Sequence, residues 1–336
     1  MKKVLLFMLT LVIAFTLSAC GDDAEERDYT EHTLTVIFVP SRPADEILTM
    51  TAPLEQMLLN ELSDAGYDVA GVEILVSSSY EAAGIAMLSG TGDVAFLPGG
   101  TYVMFADTVD SPVEVILSAA RSGLTKDSSV AKDWNDGLET TSDPLSFVPY
   151  YRSLGIVGQT VKGRALAAII NGGGSITWTD LQDVKIGVQS VTSAGGRIYP
   201  SLLFNDLYGH TIEDLPYTNI IQVSGYGGAV SAIASGDVDL AFVYADARRD
   251  YADEWISNDA GGYGHTLTIW QETDVVFVTD GVYNDAVIIS NVAAQDAILT
   301  TAIQQAFINL AQDSTALANP SGVFNTVKDV FLVYNH

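Results

Sequence analysis

The sequence predicts an α/β protein of two similar lobes, each a mostly parallel sheet flanked by helices, and three observations carry that expectation. The chain has 336 residues, about twice the size of a usual single domain. Its first ordered stretch alternates strand-like and helix-like segments, the pattern of a parallel sheet covered by helices. The stretch Leu88–Phe96 recurs without gaps as Ala234–Phe242, too far away for a solenoid repeat and well suited to a duplicated lobe.

The elements follow in order. Lys2 and Lys3 precede an apolar run from Val4 to Leu17, which ends in Leu17-Ser18-Ala19-Cys20-Gly21. That run is short for a bilayer span and fits the apolar core of an export signal. Small residues ahead of the sole cysteine are similar to a bacterial lipobox. Residues 1–19 are therefore expected to be a lipoprotein signal peptide, with Cys20 lipidated as the first mature residue. A short anchor helix with an incidental cysteine is the alternative. Residues 20–32 are polar and acidic (Asp22, Asp23, Glu25, Glu26, Asp28), as a solvated tether should be. Every later apolar run is cut by Gly, Asp or Ser, so the body is expected outside the cytoplasm, held to the bacterial cell membrane by lipid alone.

Leu34–Val39 is a continuous β-prone run, typical of a strand buried on both faces. Pro40-Ser41-Arg42-Pro43 breaks it and offers Ser41 as a helix cap. Ile47, Leu48, Leu54, Met57, Leu58 and Leu62 keep near-helical spacing until Ala65-Gly66. Val72–Val76 reads as a second strand, Glu81–Leu88 as a second helix and Asp93–Leu97 as a third strand. Each copy of the repeat ends an Ala-rich helix at a glycine suited to a left-handed cap, then enters a short strand. Asp93 and Asp239 hold equivalent places there, where a structural role outweighs ligand contact.

Arg121–Pro144 is polar and carries Lys126, Lys132, Trp134 and Asp136; it reads as a crossover, a lid or both. Phe147–Val157 is expected as one strand bearing Tyr150-Tyr151. Asn171–Ser175 is a loop, Val184–Gln189 opens the second core, Val275–Val278 is strand-like, and Asp296–Leu310 is an amphipathic helix returning to the first lobe. The expected division is residues 33–146 plus 275–336 for the first lobe and 147–274 for the second.

Composition narrows function. There are 42 acidic and 15 basic residues, a net charge of −27, which excludes a general nucleic-acid binder. With 17% charged and 48% hydrophobic residues the chain is too apolar for a disordered acidic polymer. A single cysteine excludes an internal disulfide and a Cys-cluster metal site. The histidines (His32, His210, His265, His336) are scattered, and neither a Gly-x-Ser-x-Gly elbow nor a Walker motif is present. No enzyme, metal or cofactor is expected.

Ligands of open α/β sheets bind beyond the carboxyl ends of strands, where helix N-termini point. Four loops qualify: Pro40-Ser41-Arg42, Pro98–Tyr102, Gln189–Gly196 and Ser224–Gly228. The third is the sharpest. Hydroxyls at Ser190, Thr192 and Ser193 beside free N–H groups at a helix start make a neutral anion cradle, although an ordinary Ser/Thr cap has the same composition. Neutral donors matter on so acidic a surface, because long-range attraction cannot supply affinity for an anion.

These residues resemble the phosphate/phosphite/phosphonate (PhnD-like) solute-binding proteins of ABC transporters. Tyr80–Ala83, Ser89-Gly90, Asp93–Phe96 and Gly99–Val103 are similar to one long stretch of that family. Tyr150-Tyr151 resembles its Tyr-Tyr strand, Thr192-Ser193-Ala194-Gly195 its Ser-Thr-Ser-Gly anion loop, and Ser224–Gly227 stands where the family has Gly-Ser-His-Asp. Ala194 replaces a loop hydroxyl and Tyr226 the histidine.

The resemblance implies a type II periplasmic-binding-protein fold and capture of a phosphonate- or phosphate-type oxyanion between the lobes for delivery to an ABC permease. Ser190, Thr192 and Ser193 would hold the anionic head, with Thr101 opposing them and Ser41 nearby. Tyr80, Tyr151 and Tyr226 would flank the organic part, Tyr102 and Tyr244 are further aromatics able to stack a ring, and Asp246 falls near the family's acidic contact for an amino group. A related lipoprotein branch of the mycoplasmal p37 type implies a larger phosphorylated cofactor such as thiamine pyrophosphate. A surface sensor or adhesin is the remaining alternative. A monomer is expected.

Overall fold

A computed structural model describes residues 28–41, 43–106, 113–312 and 332–335. The expected signal peptide, Cys20 and most of the tether lie outside the described residues, as does Arg42 of the first loop. Two sheets form two lobes. The first has strand order β12-β4-β11-β3-β1-β2, with β5 also paired to β4. It uses β1 (Thr33–Phe38), β2 (Gly71–Val76), β3 (Val94–Leu97), β4 (Val113–Leu124), β5 (Ser142–Val148), β11 (Ala286–Ser290) and β12 (Leu332–Asn335). The second has order β10-β6-β9-β7-β8, from β6 (Tyr150–Val157), β7 (Ile186–Val188), β8 (Ile220–Gln222), β9 (Leu240–Tyr244) and β10 (Asp274–Tyr283).

The expectation of mostly parallel sheets holds for β2-β1-β3 and for β8-β7-β9, which are parallel trios. The strands added beside them run antiparallel.

The longer helices cover these trios: α1 (Ala44–Asp64), α2 (Tyr80–Leu88), α3 (Gly99–Ala106), α4 (Val161–Asn171), α5 (Tyr199–Tyr208), α6 (Gly225–Ser235) and α7 (Ala297–Gln312). In α1, Ile47, Thr51, Leu54, Leu58 and Leu62 fall at helical spacing and are buried. Leu54, Leu58 and Leu62 share the core of the first lobe with Ile303, Phe307 and Leu310 of α7. Truncating a fully buried member such as Leu58 to Ala costs about 2–5 kcal/mol. The cap of α1 is not Ser41: Pro43 takes that position without a side-chain hydrogen bond. In both copies of the repeat a glycine has positive φ, Gly90 at 66° and Gly236 at 76°, the left-handed turn that releases the chain toward its strand.

The lobes are joined where β5 passes into β6 through Pro149, and where β10 passes into β11. Asn284 ties these crossings together. Its Nδ2 donates to the carbonyls of Ala119 (3.0 Å) and Val148 (3.1 Å), and its N–H donates to the carbonyl of Pro149 (3.0 Å). Phe147–Val157 is therefore two strands, not one.

Two expected boundaries shift. Residues 275–283 sit in the second sheet, since β10 pairs with β6 from Asp274↔Val157 to Tyr283↔Tyr150; the chain re-enters the first sheet at Ala286. The segment between β4 and β5 is a strap on the second lobe. Trp134 is fully buried in that lobe's core, and Asn135 exchanges two hydrogen bonds with Val275.

Candidate functional site

The four loops singled out from the sequence converge between the lobes. At the start of α3, a Cβ on Gly100 would lie 2.3 Å from the Ile198 side chain and 2.9 Å from the Thr192 carbonyl, so the first lobe touches the second there. At the start of α6, Gly225 faces the carbonyls of Ser41 and Pro40, 3.4 and 3.7 Å from where its Cβ would stand.

The loop after β7 is built by its own hydroxyls. Ser193 caps the π-turn Ala194–Ile198: its Oγ accepts the Gly196 N–H (3.2 Å) and donates to Gln189 Oε1 (3.2 Å). Ser190 and Thr192 turn the other way, toward the first lobe. Ser190 Oγ donates to Glu81 Oε1 at 2.6 Å, and Thr192 Oγ1 donates to the same oxygen at 2.9 Å. The Ser190 hydrogen bond leads the effects that hold the Glu81 carboxyl below the usual carboxylate range. Two hydroxyls from one lobe thus converge on a single anionic oxygen presented by the other.

Tyrosines line the floor. The hydroxyls of Tyr151 and Tyr226 are 3.4 Å apart, and a Cβ on Gly195 would stand 2.9 Å from each, so glycine is required at that close approach. Burial pushes the phenols of Tyr80, Tyr151 and Tyr226 up, which keeps all three as neutral donors. Tyr80 is buried among Ile37, Val39 and Ala83, and half-buried Tyr102 packs against that cluster. Thr101 is fully buried, with a hydroxyl that has no partner among the described residues. Ser41 is half-buried at the rim.

Two charged groups at the hinge escaped the sequence reading. The guanidinium of Arg121 lies 4.7 Å from the centroid of the Tyr151 ring, and its Nε is buried without a hydrogen-bond partner among the described residues. Asp285 is sunk beside it, and burial raises its carboxyl to about 6 against the opposing pull of Arg121. A cavity of about 170 Å³ opens here, lined in part by Arg121, Asp127, Tyr150, Tyr151, Arg152 and Ala245.

Asp246 is not brought to the site as a free contact. Burial alone would push its carboxyl up, but the Arg248 charge overrides this and holds it low. Oδ1 accepts from Arg248 Nε (2.8 Å), and Oδ2 accepts from Arg248 Nη2 (3.0 Å) and Trp270 Nε1 (3.2 Å). Both oxygens are consumed in the core of the second lobe, so the expected contact with a ligand amino group is replaced by an internal ion pair. Glu81 was also missed as a site residue. An acid in the first turn of a helix is ordinarily explained by the helix dipole, and nothing local marks it as reaching across a cleft.

Comparison with known proteins adds the following. The family described as ABC transporter, phosphonate, periplasmic substrate-binding protein matches residues 36–323. Among curated proteins, none matches the chain. A binding-protein component of an ABC phosphonate transporter from Pseudomonas aeruginosa is 11% identical with a TM-score of 0.60, over 90% of this chain and 82% of that one. PhnD1 from Prochlorococcus marinus, solved with methylphosphonate, is 14% identical with a TM-score of 0.59, over 90% and 92%. Mh-p37 from Mycoplasma hyorhinis, a proposed thiamine pyrophosphate transporter, is 11% identical with a TM-score of 0.63, over 92% and 96%. At such identities these structures share the fold, a two-lobed type II periplasmic-binding architecture.

Proposed function

The chain belongs to the periplasmic substrate-binding proteins of ABC phosphonate transporters, and from that premise we propose that it captures a phosphonate- or phosphate-type oxyanion compound between its lobes. Membership makes it an extracytoplasmic transport component that binds a small ligand for delivery to a permease, not an enzyme. The observation that carries the ligand class is the pair of hydroxyls, Ser190 and Thr192, converging on one anionic oxygen. A phosphonate oxygen is the same kind of acceptor as a carboxylate oxygen, and charge-assisted hydrogen bonds of this length are strong.

With a net charge of −27 the exterior repels anions, so affinity must come from short hydrogen bonds inside a closed, dry cleft. Ser190 and Thr192 bind the head from the second lobe. Thr101, whose hydroxyl is unpartnered among the described residues, opposes them from the first. Ser41 and Tyr102 border the opening, and Tyr80, Tyr151 and Tyr226 supply phenol donors and ring faces to the remainder. Ser193 shapes the loop through its cap. Closure follows from contacts made to both lobes at once.

A larger phosphorylated cofactor such as thiamine pyrophosphate is the second reading, favoured by the hinge cavity beside Tyr151 and Arg121. Retention at the membrane is assigned to lipid on Cys20, with the protein a monomer; Cys20→Ser releasing the chain into the soluble fraction tests the anchor. Thermal-shift titration with methylphosphonate, inorganic phosphate, phosphite and thiamine pyrophosphate tests the ligand class. Stabilisation by one of the small oxyanions supports the first reading, stabilisation by the cofactor alone the second, and no shift with any of them counts against both.

A further inference from the structure

Glu81 reaches from the first turn of α2 to the loop of the other lobe and receives both hydroxyl protons of Ser190 and Thr192. The helix does not need this contact. Ser79 already caps α2 by accepting the Ala82 N–H at 3.0 Å, and an acid in the first turn gains its dipole benefit whichever way it points. The contact instead uses the two donors assigned to the ligand. Each hydroxyl has one proton to give, so Glu81 and a ligand oxygen cannot both be served.

The bond also crosses the cleft. It lies beside the close approach of Gly100 to Thr192 and Ile198, and the approach of Gly225 to Ser41 pins the opposite rim. Those approaches are van der Waals contacts, whereas the Glu81 bonds are charge-assisted and directional. The carboxylate is tethered, so its local concentration at the loop exceeds that of any free anion.

Resting on that functional reading, we propose that Glu81 is a built-in competitor for the anionic head of the ligand, fastening the empty cleft shut until the ligand expels it. Affinity is then reduced by the fraction of molecules in which Glu81 holds the loop. A simple anion that only replaces the two hydroxyl contacts gains nothing over the resident carboxylate. A ligand must also engage the tyrosines and the opposing lobe, which makes Glu81 a determinant of specificity.

The test uses the purified protein and its Glu81→Ala and Glu81→Gln variants, with methylphosphonate and inorganic phosphate as probes. Calorimetry gives affinity and small-angle scattering gives the radius of gyration. The proposal expects Glu81→Ala to bind a probe at least about tenfold more tightly than the parent. It also expects the ligand-free variant to be more open than the parent and to contract when the probe is added. Glu81→Gln, which keeps the length of the side chain, falls between them and controls for folding. Equal affinities and equal ligand-free dimensions overturn the competitor while leaving the oxyanion site standing. Failure of all three proteins to bind either probe overturns the competitor and the oxyanion reading together.

Discussion

Asp93 and Asp239 hold the same post in the two lobes. Asp93 Oδ2 accepts the Thr35 N–H at 2.8 Å and the Asp93 N–H returns to the Thr35 carbonyl at 3.0 Å. Asp239 Oδ2 accepts the Lys185 N–H at 2.8 Å and the Asp239 N–H returns to the Lys185 carbonyl at 2.8 Å. Each carboxylate therefore staples the entry of one strand to its neighbour and fixes the register of the parallel trio. The duplicated sequence is a duplicated structural device.

Replacing either aspartate with Ala should cost about 1–3 kcal/mol, the penalty of leaving a buried backbone donor unpaired. Asp93→Ala should cost more, because the buried Tyr29 hydroxyl also donates to Asp93 Oδ1 at 2.6 Å. Urea unfolding measures both losses, and ligand affinity of the folded protein should not change.

That staple is legible in the sequence, because glycine, Ala-rich helix and strand recur in one order. The parallel trios and the loops at their carboxyl ends were legible for the same reason. The hinge was not. Pairing of Tyr283 with Tyr150 joins residues far apart in sequence and leaves no local pattern. Trp134 is one aromatic in a polar stretch, so its place in the second core is decided by tertiary packing. Helix α4 buries only Gly163, Leu166 and Ala167, too small a face to stand out in the sequence. Asp246 sits at a strand end like a ligand contact, and only folding of Arg248 back onto it shows otherwise.

Asp246 should thus matter for stability and not for recognition. Asp246→Ala should destabilise by about 3–5 kcal/mol, since it leaves the fully buried Arg248 charge without its partner. The Asp246→Ala, Arg248→Met double variant should lose less than the single one. Thermal unfolding of the two compares them directly.

Closure depends on the absence of a side chain at Gly100. Gly100→Ala would push a methyl group into Ile198 and the Thr192 carbonyl, and the backbone carbonyl cannot move aside freely. The variant should fold normally, scatter as a more open particle and bind its ligand at least about tenfold more weakly, the cost of a lost closed state.

Asp285 makes stability depend on pH with a definite sign. Its folded value of about 6 lies above the ordinary 3.8, so between these limits the folded state holds a proton that the unfolded chain has released. Stability from this group falls as pH rises through that window, and the penalty is complete above about 6. Part of the residue still reaches solvent, so the effect is on the order of 1 kcal/mol. Asp285→Asn should raise the melting temperature relative to the parent at pH 7 and lose that advantage near pH 4. An equal difference at both values would contradict the assignment.

The central claim is that two uncharged hydroxyls hold the ligand's anionic head at the meeting of the lobes. Calorimetry with the best-binding small oxyanion measures it on the Ser190→Ala, Thr192→Ala double variant made in a Glu81→Ala background, where no resident carboxylate competes for the two hydroxyls. Two charge-assisted hydrogen bonds at about 1.5 kcal/mol each predict a loss of about 100-fold in affinity with the fold intact. A folded variant lacking both hydroxyls that binds as tightly as the Glu81→Ala protein would contradict the account.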